Sequence, residues 1–296
     1  MVVTGREGQV VRSLLERGAS TQFEVVPLGR PELDLASAPE EIEGAIVDAR
    51  PDVVVSAAAY TQVDQAETEP ELAFAVNERA PRAIASAARL LDIPLIHLST
   101  DYVFDGDKAA PYLETDPTGP TGVYGASKLA GEQAVSAEHD GSVVVRTAWV
   151  YSPFGRNFLR TMLRLASERD EISVVGDQRG NPTSAFQIAD GVLRIAANLC
   201  GGNEPAQRGI FHMTGAGEAS WAEFAEAIFA SSAELGGPSA DVKPICSDDC
   251  PTPAKRPANS RLDCRKVARI HGVTLPDWRA SMKEVLSRLL QSPQEH

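Results

Sequence analysis

The chain has 296 residues, 43% hydrophobic and 23% charged, enough for one large α/β domain and a smaller one. Its net charge of −13 excludes a general nucleic-acid or anionic-membrane surface, although local Arg and Lys can still hold an anionic small ligand. Cys200, Cys246, Cys250 and Cys264 lack metal-ligand spacing, no apolar run approaches a membrane span, and the N-terminus has no signal-peptide layout, so a cytoplasmic protein with unpaired thiols and no metal set is expected.

In chain order, Met1 to Thr4 reads as a short strand, followed by the turn Gly5-Arg6-Glu7-Gly8 and a helix from Gln9 to Gly18. Such a turn aims backbone N–H groups and a helix N-terminus at a pyrophosphate. It is G-x-x-G, with Val11 where the usual fingerprint has a third glycine. Phe23 to Leu28 is the second strand, and Gly29-Arg30 follows it. An acidic residue at that point would hold a ribose 2′-hydroxyl, whereas an Arg accommodates a 2′-phosphate, so Arg30 favours NADPH over NADH. Asp34 either meets the adenine or caps a helix near Pro39 to Ala49.

Val53 to Ser56 is a third strand, and the small residues Ala57 to Ala59 at its end would let a cofactor approach the backbone. Leu72 to Leu91 reads as a long helix that Pro81 kinks or restarts. Ile93 to Leu98 is a buried parallel strand. Together these elements predict a Rossmann-like, doubly wound parallel sheet over residues 1–150.

The stretch from Ser99 to Lys128 carries the chemistry. It opens S-T-D-Y-V-F-D-G and closes Y-G-A-S-K, at the start of a helix over Tyr124 to Val135. Tyr124 and Lys128, four apart, share a helix face. A phenol titrates near ~10 in water; an ammonium about 4 Å away at an effective dielectric of ~20 favours phenolate by roughly 4 kcal/mol, or ~3 pKa units. That would move the phenol toward the range of a general acid. Thr100, at the strand's carboxyl end, can offer a hydroxyl to the same carbonyl oxygen. Y-x-x-x-K alone is an ordinary exposed helix pair; the strand-end hydroxyls and the dinucleotide turn give it meaning.

Beyond Trp149 the simple alternation stops. Asn157 to Glu168, Ala185 to Leu199, Trp221 to Leu235 and Trp278 to Leu290 read as helices and Ile210 to Met213 as a strand. These form a smaller C-terminal α/β substrate domain over residues 151–296, with the 185–199 helix returning to the first domain. The Pro-rich Cys250 to Ser260 segment is too irregular to be core; its Lys255 and Arg256 suit a diphosphate or, more blandly, surface ion pairs. Trp149, Trp221 and Trp278 are core by default, and only Trp149, near a strand end, is placed toward substrate.

Several motifs resemble the extended short-chain dehydrogenase/reductases that make deoxysugar nucleotides: G-x-x-G-Q-V at Gly5, A-A-A-Y-T from Ala57, S-T-D-Y-V-F-D-G, V-Y-G-A-S-K-L-A-G-E, R-T-A-W-V-Y, D-Q-x-G-x-P-T, and P-T-P-A-K-R-P-x-N-S-R-L-D from Pro251. The resemblance implies Tyr124 as the acid, Lys128 as its partner and holder of the nicotinamide ribose, and Thr100 as an aid at the carbonyl. It places Gly8, Gln9, Val10, Asp34, Leu35, Ala58, Ala59 and Tyr60 along the dinucleotide, next to the Gly5 turn and the Arg30 read above. It places Asp101, Val103, Phe104 and Trp149 along a dTDP-sugar, whose diphosphate the basic pair Lys255 and Arg256 read above would suit.

Dehydratases of the same fold place Asp-Glu after the catalytic Thr. Here Asp101 is followed by Tyr102, so reduction rather than elimination is expected: dTDP-4-dehydro-L-rhamnose to dTDP-L-rhamnose, or a related dTDP-4-keto-6-deoxysugar. A non-catalytic subunit, like the regulatory subunit of methionine adenosyltransferase in the same family, is the alternative that Val11 and the short first strand suggest. Some relatives bind Mg²⁺ through an acidic residue at a dimer interface. Ser13 occupies that place here, so neither that metal nor that homodimer is carried over, and metal need and oligomeric state stay open.

Overall fold

The computed structural model describes residues 1–202 and 204–291; the end of the expected second domain, 292–296, lies outside them. Its centre is a six-stranded parallel sheet of β1 (Val2–Thr4), β2 (Val26–Leu28), β3 (Val54–Ser56), β4 (Leu95–Thr100), β5 (Ser142–Thr147) and β6 (Gly209–His212), ordered β6-β5-β4-β3-β1-β2. Runs such as Val53-Val54-Val55 and Val143-Val144-Val145 are buried on both faces, as a covered parallel strand requires.

Alternate residues of these runs pack against opposite helix layers. Val3, Val55 and Val145 join α1 (Gln9–Gly18) and α5 (Ala185–Gly201) on one face. Val2, Val54 and Val144 join α2 (Pro39–Asp48), α3 (Ala80–Leu90) and Val135 of α4 (Val123–Glu138) on the other. Strand order reverses between β1 and β3, and a ligand crevice forms at the carboxyl ends of strands at such a point. The doubly wound sheet expected from the sequence is therefore present.

Four expectations change. The strand expected at 210–213, read as part of the second half, is β6 (Gly209–His212), the edge of the central sheet beside β5. The helix expected over Leu72 to Leu91 is broken into Pro70–Phe74, a π-helical turn at Ala75–Arg79, and α3; Pro81 sits in the first turn of α3, where its missing N–H costs nothing. Several short strands of the second half were not foreseen, the longest being Glu171–Val175 and Asp241–Ile245, a parallel pair with exposed alternate residues. The Pro-rich stretch is partly core, with Ala254, Asn259 and Ser260 buried, and it crosses the molecule as a strap. Strap residues pair with Arg179 and Tyr112 through backbone hydrogen bonds, which is why an irregular segment can be buried.

A second core gathers Tyr151, Leu159, Ile172, Phe186, Phe224, Ile228 and Trp278 beneath the cleft side of the sheet. Trp278 is buried there, as expected of a core indole. Among the described residues no helix is long and apolar enough to cross a membrane.

Behind β4, Arg146 of β5 donates through Nε and Nη2 to Glu132 of α4 at 2.9 and 2.6 Å, and both side chains are 2% exposed. Ser99 of β4 donates to the same carboxylate. Removing one member of a buried pair strands the other charge. Arg146→Met should lower the unfolding free energy by roughly 3–5 kcal/mol, and the double variant Glu132→Leu/Arg146→Met should recover most of it. Urea denaturation checks this: a double variant no more stable than the single one would contradict it.

Candidate active site

β4 ends at Thr100, and the chain folds back through Asp101–Val103 before α4 starts behind the extended Gly122. Tyr124 is the second residue of α4 and Lys128 lies one turn on. Ser127 donates to the Tyr124 carbonyl at 2.8 Å and accepts from Asn77 Nδ2 at 3.0 Å; Asn77 Oδ1 in turn accepts from the Tyr60 N–H at 2.8 Å. Asn77 lies in the π-helical turn and is fully buried, so that irregularity presents an amide that joins the Tyr60 loop to α4. Tyr102 packs edge-on against Tyr124, ring centroids 5.6 Å apart.

The electrostatics differ from the simple proximity expectation. Burial pushes the Tyr124 phenol up to about 12; the Thr100 hydroxyl opposes this and the Asp101 carboxylate adds to it. Lys128 does not lower the phenol in this arrangement, because its buried ammonium donates to the Leu98 carbonyl at 2.6 Å. Burial draws Lys128 down to about 8, against the pull of Glu132. Asp101, 2% exposed, is raised to about 6 by burial, with Ser260 and Thr100 pulling the other way. Thr100 Oγ1 donates to Asp101 Oδ1 at 2.9 Å.

On the dinucleotide side, Gly5 has φ +97, a region that favours glycine, and a Cβ there would lie 3.1 Å from that of Ala58. Gly8 precedes α1, which has no side-chain cap and no acidic residue in its first turn, leaving N–H groups open to an anion. Val11 is buried and fills the helix–sheet contact beneath this turn. Val10 and Leu35 are half-buried against the two cores. Ala58 N–H donates to Thr4 Oγ1 at 3.1 Å, Ala59 follows it, and Tyr60 donates its hydroxyl to Glu69 at 2.8 Å.

Two of the expected residues have further partners. The Gln9 side-chain oxygen accepts from Ser152 and Asn157 at 2.8 and 3.0 Å, so it also pins the 152–157 loop. Asp34 does not cap α2, whose N-cap is Ala38; it pairs with Arg30 at 2.9 Å and accepts from the Ala36 N–H. Arg6, overlooked in the sequence, donates to the Arg30 carbonyl at 3.1 Å and to Glu32, which puts two guanidinium groups at the end of β2.

On the other side lies a cleft of about 650 Å³, lined by Phe158, Met162, Gln178, Trp221, Lys255 and Arg256. Trp149, with the left-handed φ of +47, stacks on Trp221 at 3.5 Å and 4°. Trp221 therefore belongs to this wall, not to the core assumed from sequence; its helix-start position gave no signal of that. Arg256 is held by Asp64 at 2.8 Å, while Lys255 is exposed. Val103 and Phe104 do not face the cleft: both are buried, and Phe104 stacks on Tyr112 at 4.1 Å. They follow Asp101 within a tight turn, and apolar side chains there face the core. A larger cleft of about 1140 Å³ opens at the amino ends of the strands, near Asp52, Pro94 and Gly141, and holds none of these groups.

A glycine turn at the strand-order reversal, with Thr100, Tyr124 and Lys128 beside it, defines the class: a Rossmann-fold oxidoreductase of the short-chain dehydrogenase/reductase type. The family model for the RmlD substrate binding domain matches residues 1–291, and the chain belongs to that family. It is 49% identical to a dTDP-4-dehydrorhamnose reductase of Sinorhizobium fredii over 290 residues, covering 98% of this chain and 97% of the relative. Identity to the Escherichia coli K12 enzyme of that name is 42% over 258 residues, covering 86% and 85% of the two chains. Among solved structures, a dTDP-4-dehydrorhamnose reductase from Clostridium acetobutylicum matches with TM-score 0.90, 34% identity and coverage of 98% and 99%. One from Bacillus anthracis, in complex with NADP, matches with TM-score 0.89, 33% identity and coverage of 97% and 98%.

The free enzyme's pH profile follows from two groups. An ionised Asp101 can accept hydrogen bonds from Thr100 and a sugar hydroxyl, and a protonated Lys128 can bear on phenol and cofactor. So kcat/KM should rise through about pH 6 and fall through about pH 8. Asp101→Asn should abolish the acid limb and keep the alkaline one; an unchanged acid limb in that variant would assign it elsewhere.

Proposed function

We propose that the chain reduces dTDP-4-dehydro-L-rhamnose to dTDP-L-rhamnose with NADPH, with residues 1–150 holding mainly the dinucleotide and the later residues the sugar nucleotide. The observation that carries this is Thr100 at the carboxyl end of β4 with Tyr124 and Lys128 on the first turns of α4, in a fold that also has an uncapped start of α1 and an aromatic cleft holding Lys255 and Arg256. The relatives named as dTDP-4-dehydrorhamnose reductases supply the substrate class.

The residues present fit the cofactor. Gly5, Gly8 and the open start of α1 suit the pyrophosphate, the small Ala58 and Ala59 admit the ring system, and Arg6 and Arg30 suit a 2′-phosphate. Bound there, reduced nicotinamide supplies the hydride. The chain's own residues do the rest. Tyr124 gives its phenolic proton to the carbonyl oxygen as negative charge develops on it. Thr100 can turn its hydroxyl from Asp101 to that oxygen as a second donor. Lys128 needs only to turn from the Leu98 carbonyl to bring its charge to Tyr124, which lowers a phenol that burial holds near 12. Asp101 and Trp149 orient the sugar, and Lys255 with Arg256 meets the diphosphate. Tyr102 in place of a carboxylic acid leaves no second acid for elimination. A non-catalytic subunit would need none of this geometry.

Tyr124→Phe should lower kcat by roughly 10²–10⁴-fold while leaving NADPH affinity, followed by nicotinamide fluorescence, near wild type. Retention of most turnover at saturating cofactor and substrate would remove Tyr124 as the acid. Arg30→Ala should raise KM for NADPH about tenfold, the equivalent of one charge-assisted hydrogen bond, and leave KM for NADH alone. An equal response to both cofactors would take Arg30 away from the phosphate.

A further inference from the structure

Past Tyr60, on the cofactor side, the chain forms a one-turn helix, Val63–Ala66, whose acidic residues reach two distant parts of the fold. Asp64 Oδ1 accepts from the Ala254 N–H at 3.2 Å, and its Oδ2 accepts from Arg256 Nη2 at 2.8 Å. One carboxylate, 190 residues earlier in the chain than Ala254, thus holds both the backbone of the strap and a guanidinium on it. Glu67, just past the same helix, accepts from the Val123 N–H at 2.8 Å, so the helix is itself tied to the start of α4.

Arg256 lines the 650 Å³ cleft beside Lys255, Gln178 and Trp221. Its side chain is 23% exposed, and Asp64 meets one of the guanidinium's five N–H groups. Nη1 is buried and has no hydrogen-bond partner among the described residues. A buried donor without an acceptor is costly, and a ligand with anionic oxygens would satisfy it. The strap backbone is fixed on either side of Arg256. Ala254 is buried on Asp64, and Pro257 lies against Gly106, where any Cβ would come within 2.6 Å of it. Asn259 N–H donates to the Gly106 carbonyl at 3.2 Å. With the backbone fixed, the hydrogen bond to Asp64 sets the direction of the guanidinium. The Asp64 charge opposes an incoming anion, but this carboxylate is 41% exposed and screened by water, whereas a planar fork loses its aim as soon as its anchor goes.

We propose that Asp64 is a positioning residue for the sugar nucleotide: it holds one end of the Arg256 fork so that the remaining N–H groups meet the diphosphate in the cleft. This rests on the reductase reading above. It gives a residue of the dinucleotide half a task in binding the other substrate.

The test is dTDP binding to the full chain by titration calorimetry, with NADPH binding, followed by nicotinamide fluorescence, as the reference. Arg256→Ala should weaken dTDP by roughly 10- to 100-fold, the worth of hydrogen bonds between charged groups. Asp64→Ala should weaken it by roughly three- to tenfold, since the cation stays but its direction is lost, and KM for dTDP-4-dehydro-L-rhamnose should rise in step. Asp64→Asn, which keeps the size and one acceptor oxygen, should lose less, and it carries the test if Asp64→Ala fails to fold. Neither Asp64 variant should change NADPH affinity. In the Arg256→Ala background Asp64→Ala should have no further effect on dTDP, whereas a general loss of packing would act equally in both backgrounds. Binding of dTDP that is unchanged or tighter in Asp64→Ala, or in Asp64→Asn where that variant stands in, overturns the positioning role and leaves the reductase reading intact. So does a loss that persists in the Arg256→Ala background. A wild type that consumes no NADPH with dTDP-4-dehydro-L-rhamnose overturns the reductase reading itself.

Discussion

A buried ammonium must be answered by a polar partner, and much of this site follows from how Lys128 is answered. Its charge rests on the Leu98 carbonyl, with Glu132 one turn further along α4, and Glu132 is itself fixed by Arg146 and Ser99. Strands β4 and β5 and helix α4 are therefore locked to one another by charge as well as by apolar contact. That lock sets the distance between Thr100 at the strand end and Tyr124 on the helix. The same burial that holds Lys128 near 8 holds the phenol near 12, so the resting site stores the proton on tyrosine. The ammonium's ability to leave a carbonyl for the phenol is what would release it.

The close fit of α4 to its neighbours has the same origin. Gly131 lies where any Cβ would meet the Asn77 carbonyl at 2.0 Å, which lets the helix approach the π-helical turn. Asn77 then reaches Ser127, between Tyr124 and Lys128, and the Tyr60 loop beyond β3. The Tyr60 loop and α4 thus share one buried amide. On the substrate side the strap has a similar task, since Asn259 and Ser260 tie the loop near Lys108 to the Arg179 segment and to Trp149. Two irregular segments, one on each side, carry the polar groups that regular elements cannot present.

Parts of this arrangement were open to reading from residues. Val-rich strands alternating with amphipathic helices imposed the parallel sheet, because a strand buried on both faces has few other compositions. The helix over Gln9 to Gly18 and the one beginning at Trp221 are framed by breakers and caps, and their bounds agree with expectation to within a residue or two. Thr100, Tyr124 and Lys128 were legible because their spacing is local: a strand end and one helical turn.

What composition and spacing determined about this protein was the parallel sheet and the local placement of the Gly5 turn, Thr100, Tyr124 and Lys128, features set by strand composition and short-range spacing. Tertiary structure alone decided that residues 209–212 complete the central sheet, that Phe104 packs inward while Trp221 joins the cleft, and that Arg6 stands beside Arg30. It also decided the protonation pattern of the site. Whether Lys128 lowers Tyr124 depends on which oxygen its ammonium meets and on how much water burial has removed. Those are properties of elements far apart in the chain that meet only when it folds.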